Sequence, residues 1–105
     1  MPKPLRQLTR TRISAPVVIT MKTQSFRGWI NDISEQGAGI VSDANLLIGD
    51  QIAISFPVPG TPAPVTLSAV VRHSVGFHHG CYFQETENAD RTALEQFLLC
   101  RRKAD

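Results

Sequence analysis

A chain of 105 residues holds one domain with a core of its own and leaves no room for a second. With 42% hydrophobic and 19% charged residues it has the composition of a folded globular protein. No apolar run approaches the ~18 residues of a membrane span, and the first fifteen residues carry Lys3, Arg6, Arg10 and Arg12 without the apolar segment of a signal peptide. A cytoplasmic protein without membrane insertion is expected. The formal net charge of +2 conceals an asymmetry: residues 1–31 hold six cations and no acid, whereas residues 32–105 hold five cations against nine acids. An electropositive strip on a mildly acidic body suits an anionic ligand. Cys81 and Cys100 lack the spacing of a disulfide framework or a CxxC pair, so both are expected to be free thiols.

Pro2, Pro4 and the polar and basic residues around them predict a flexible N-terminal arm over residues 1–12, with one folded body over residues 13–105. From Ile13 the pattern is that of a strand, Val17, Ile19 and Met21 alternating with Val18, Thr20 and Lys22. Residues 26–33 continue it, with Phe26, Gly28, Ile30 and Asp32 expected on one face and Arg27, Trp29, Asn31 and Ile33 on the other. Ser34 to Gly39 reads as a tight corner in which Gly37 is free to take positive φ.

Ile40 and Val41 begin a further strand, Gly49-Asp50 marks a turn, and Ile52, Ile54 and Phe56 alternate with small or polar neighbours. Four prolines between Pro57 and Pro64 impose a loop. Val65, Leu67, Ala69 and Val71 resume the alternation, and a turn over Gly76 to Gly80 leads to a last strand over Cys81 to Gln84. Asn88 is placed to cap a helix whose Leu94, Phe97 and Leu98 recur at core-facing spacing, ending on Arg101, Arg102 and Lys103. The fold class is mainly β: short strands at the spacing of small barrels and sandwiches, covered by one C-terminal helix.

Two local patterns carry chemistry. Arg6-Gln-Leu-Thr-Arg10 is RxxxR, and Asp32-Ile-Ser34-Glu-Gln-Gly37 is DxSxxG. RxxxR says little in a chain with eight arginines, and DxSxxG arises by chance in roughly two per cent of chains this long on ordinary residue usage. Their order, their spacing and the all-β pattern ending in one helix say much more together. In these features the chain resembles the PilZ domain family, and the likeness extends to ISAPVVI, to the glycine of GWINDIS, to GCYF and to the final helix.

The resemblance implies a small antiparallel β-barrel of about six strands and a receptor for cyclic di-GMP, held by Arg6, Arg10, Asp32, Ser34 and Gly37, with Leu5, Arg12 and Gly39 as auxiliary positions. It further implies a switch, in which ligand bridging the arm and the corner regulates a downstream protein in motility, exopolysaccharide synthesis or a related process. Leu5 stands where an additional arginine helps to hold a second stacked ligand, so one cyclic di-GMP per domain is expected.

The chemistry agrees with these residue types. A guanidinium donates two parallel hydrogen bonds to a phosphate or to guanine O6 and N7, and it stacks on a purine. A carboxylate accepts from guanine N1–H and N2–H2, which gives Asp32 the selection of guanine over adenine. Ser34 offers a hydroxyl, and Gly37 a close approach to the backbone N–H.

Blander uses exist for the same residues: the arginines as a solvated tail, Asp32 and Ser34 as turn residues capping backbone N–H groups. A PilZ-like adaptor that binds only protein is a second reading. An OB-type nucleic-acid barrel is a third, which the scarcity of aromatics makes the weaker one. His73, His78, His79 and Cys81 form no known metal-ligand spacing, and adjacent His78 and His79 would point oppositely along a strand, so a polar turn is expected there. Trp29 is open between an interaction residue and a barrel-wall aromatic. No nucleophile is placed with a base, so neither an enzyme nor a cofactor is expected, and no catalytic or metal-binding residue is assigned.

Overall fold

The computed structural model describes residues 11–84 and 89–104, with side chains described as far as residue 100. Six antiparallel strands, β1 (Thr11–Met21), β2 (Gln24–Ile33), β3 (Gly37–Val41), β4 (Gln51–Phe56), β5 (Val65–Val75) and β6 (His78–Phe83), precede one helix, α1 (Ala89–Ala104). They close into a barrel in the order β1-β2-β3-β6-β5-β4. Arg6, Arg10, Leu5 and the capping position Asn88 lie outside the described residues.

The period-2 pattern builds the interior directly. Val17 and Ile19 from β1, Ile52, Ile54 and Phe56 from β4, and Val65, Leu67, Ala69 and Val71 from β5 all point inward and are buried, while Val18 and Thr20 between them face out. Burial of each large apolar side chain contributes about 1.5–3 kcal/mol. Leu94 and Leu98 of α1, one turn apart, complete the core against β5, with Phe97 packed beside them. The helix is tied down at its first turn, where the Thr66 backbone N–H donates to Asp90 Oδ2 at 3.0 Å.

Closure of the barrel is uneven. β1 pairs with β2 along its length, but with β4 only at Val18, Ile19 and Thr20. Below Val18 the two strands part, since Pro57 and Pro59 follow β4 and cannot donate to a ladder.

Three local expectations are corrected. Ile33 is fully buried on the same side as Ile30, not on the opposite face. The β2–β3 register shifts between Ile30 and Asp32, so Asn31 is an extra residue without a counterpart on β3, and the bulge carries Ile33 back inward. Gly37 does not have positive φ. It opens β3, paired with Tyr82, and the corner is confined to Ser34, Glu35 and Gln36. His78 and His79 belong to β6, and the turn lies at Gly76 and Phe77, with Gly76 at φ 61°. As expected of strand neighbours, His78 is exposed and His79 buried.

Candidate ligand-binding site

Asp32 stands at the end of β2, opposite Arg12 of β1 and Gly39 of β3. Both of its ladders are irregular at this level. On one side Ile13 and Ser14 oppose the single residue Asn31, and on the other Asn31 is itself the extra residue. Bulges bend a strand and re-aim its side chains. Here they open a shallow cleft lined by Arg12, Ile13, Ser14, Asn31 and Asp32. The Arg12 side chain is exposed and the Asp32 side chain half-buried at this outer wall.

Gly39 is what lets Asp32 lie flat on the sheet. A Cβ at Gly39 would stand 2.9 Å from Asp32 Oδ2, so the carboxylate occupies the space a side chain would take. The row continues across the barrel wall through Gly80 of β6 to His73 of β5. A Cβ at Gly80 would meet the His73 Cβ at 3.4 Å. Two neighbouring outward positions therefore carry no side chain, with Asp32 leaning in from one side and His73 bordering the other.

The other two residues of DxSxxG are used differently. Ser34 is buried, 4% exposed, and its hydroxyl holds the corner: Oγ accepts from the backbone N–H groups of Gln36 and Gly37, both at 3.2 Å, and donates to Gly37 O at 3.4 Å. The corner closes with Ser34 N–H donating to Gly37 O at 2.8 Å. Gly37 is buried where β3 meets β6, and a Cβ there would fall 2.2 Å from the Cys81 carbonyl oxygen. The Ser34 side chain is buried away from solvent, and Gly37 has none. Both hold the turn that ends β2 just past Asp32.

The histidines and Cys81 do not converge. His79 lies inside, its Nδ1 2.8 Å from Ser74 Oγ and its Nε2 3.2 Å from Ser42 O, while His73 and His78 are exposed. Cys81 is buried, with Sγ donating to Ala38 O at 3.5 Å, and both cysteines are free thiols. Among the described residues no group of His, Cys, Asp and Glu is placed to hold a metal ion, and no helix is long and apolar enough to cross a membrane. Trp29 is 45% exposed, and its Nε1 donates to Ser14 Oγ at 2.7 Å, which fixes the indole on the outer wall above the bulge.

The chain thus forms a closed six-stranded antiparallel barrel with a C-terminal helix, a bulged outer wall and an outward aspartate in DxSxxG. The chain belongs to the PilZ domain family, whose model matches residues 4–100; such domains are non-catalytic and typically receptors for cyclic di-GMP. No curated protein matches the sequence. Among solved structures, the inhibitor of motility MotI/DgrA of Bacillus subtilis superposes with a TM-score of 0.78 at 22% identity, over 98% of this chain and 53% of that one. The chain thus spans about half the length of that protein. The PilZ domain of CeSA, from a cellulose-synthesizing bacterium, superposes with a TM-score of 0.70 at 14% identity, over 89% of this chain and 98% of that one. At these identities the likeness is one of fold.

The sequence alone does not place Gly80, His73 or the bulge residues Ile13, Ser14 and Asn31 on this wall of the barrel. The only signal was Gly80 itself, a glycine between residues of strand character, which marks a close approach or a bulge.

Proposed function

We propose that this chain is a cytoplasmic cyclic di-GMP receptor in which Asp32 reads guanine and Arg6, Arg10 and Arg12 supply the cationic forks. The observation that carries the reading is the placement of Asp32: outward, opposite Arg12, and laid over Gly39 where a planar base can approach the sheet. A carboxylate beside an arginine offers guanine an acceptor pair for N1–H and N2–H2, and the ligand's phosphates a fork. Ser34 and Gly37 act through the corner that fixes Asp32, and Gly39 through the space it leaves.

RxxxR ends at Arg10, one residue before β1 begins. A ligand gripped by both motifs joins the residues before β1 to the end of β2, and that junction is the switch read by a downstream protein. Motility and exopolysaccharide synthesis are the processes to examine first, since one of the two solved structures is of an inhibitor of motility and the other comes from a cellulose-synthesizing bacterium.

Titration calorimetry of the purified chain with cyclic di-GMP, and with cyclic di-AMP as control, tests the proposal. The expected result is saturable binding of the guanine ligand at one per domain, with at least tenfold weaker binding of the adenine ligand. Absence of binding by the folded protein would leave the protein-only adaptor in its place. An endpoint near two would overturn the stoichiometry alone.

A further inference from the structure

Arg72 is the extra residue of a third register break. Val71 pairs with Cys81 and His73 with Gly80, so Arg72 on β5 has no counterpart on β6. The bulge turns both Arg72 and His73 to the exterior. All three irregularities of the barrel's ladders therefore abut one row, Arg12–Asp32–Gly39–Gly80–His73. The Arg72 guanidinium does not extend into solvent at random. Its Cζ stands 5.2 Å from the centroid of the Tyr82 ring, and Tyr82 is the cross-strand partner of Gly37. A cation from β5 is thus held over β6, next to the strand that begins at the DxSxxG glycine, with Asp32 on the far side of the bare glycine positions.

We propose that Arg72 is a further ligand-binding residue, contacting a phosphate of the bound dinucleotide from the β5 side while Asp32 holds a guanine from the β2 side. The inference rests on the reading of the barrel as a cyclic di-GMP receptor. Asp32 and His73 lie three strand spacings apart, roughly 14 Å at the usual inter-strand distance. A ligand with two bases and two phosphates is large enough to be gripped from both sides of such a span. Stacking on Tyr82 restricts the arginine before the ligand arrives, so less side-chain freedom is lost on binding. Gly39 and Gly80 leave the intervening surface without side chains.

The test is calorimetric titration of the full chain with cyclic di-GMP, comparing wild type with Arg72→Ala and Arg72→Gln, each variant checked by thermal melting. Loss of one guanidinium fork is expected to weaken binding about 10- to 100-fold in both variants, with the melting temperature unchanged. Wild-type affinity in either folded variant would overturn the role of Arg72 and leave the receptor reading intact. No binding by folded wild-type protein would overturn the receptor reading itself, and the inference with it. Arg72→Gln keeps the side chain as far as Cδ and ends in an uncharged polar group, so it decides the matter if the alanine variant melts early.

Discussion

The carboxylate of Asp32 rests against the bare α-carbon of Gly39, on the adjacent strand: Cγ and Oδ1 would each stand 3.3 Å from a β-carbon built there. Gly37, two residues earlier, is a glycine for a different reason. There the obstacle is the backbone of β6, with the Cys81 carbonyl carbon at 3.2 Å and the Tyr82 Cα at 3.3 Å from the same hypothetical atom. One glycine leaves room for a movable side chain and the other for a fixed strand, so the two should fail in different ways.

Gly39→Ala is expected to fold normally, because a carboxylate can swing aside, yet to lose at least tenfold in cyclic di-GMP affinity. Thermal melting and titration of the same preparation check both halves. Unchanged affinity would show that the position of Asp32 over Gly39 is irrelevant to binding.

Gly37→Ala is expected to destabilise the protein itself, by about 1–3 kcal/mol or more, since a strand backbone must shift to admit the methyl group. Chemical denaturation measures this. A variant as stable as wild type would contradict the packing of β3 on β6 described above.

Ser34→Ala should behave like Gly37→Ala and unlike Gly39→Ala. It removes the acceptor of two backbone N–H groups in a buried corner, at a cost of about 1–3 kcal/mol. If Ser34→Ala loses affinity with full stability, the hydroxyl contacts the ligand directly after all.

Asp32→Asn tests selection. The amide keeps the shape but presents a donor where guanine also donates, so preference for cyclic di-GMP over cyclic di-AMP should collapse. Competition binding with the two dinucleotides gives the ratio, and a ratio equal to that of wild type would remove Asp32 from base recognition.

Arg10→Ala should weaken cyclic di-GMP binding by about 10- to 100-fold, the equivalent of ~1–3 kcal/mol for one fork contact. Calorimetry is the readout. Unchanged affinity would withdraw Arg10 from the site.

Strand periodicity made the core legible. Val17 and Ile19, the Ile52-Ile54-Phe56 set and the Leu94-Leu98 pair lie where their spacing puts them, because alternation and helical repeat are local properties. Alternation alone misplaces Ile33 for a physical reason: one extra residue at Asn31 inverts every side chain beyond it, and only the partner strand reveals the insertion. The outward position of Asp32 and its company with Arg12 and Gly39 depend on pairings between separate strands, as does the seat of Arg72 over the Tyr82 ring. A motif names the residues at a corner. It does not say that the serine and the glycine brace the corner while the aspartate faces out.

The three-pair seam between β1 and β4 has a mechanical consequence. From Thr11 to Val17 the strand is laced to β2 alone, and Arg12 sits in that half-attached stretch directly across from Asp32. Tension applied there can peel a few residues like the tab of a zip, while Ile19 and the closed upper girth of the barrel stay shut. If the chain is the receptor proposed above, ligand arrival is transmitted by fraying or fastening one margin, and the hydrophobic interior need not be disturbed at all.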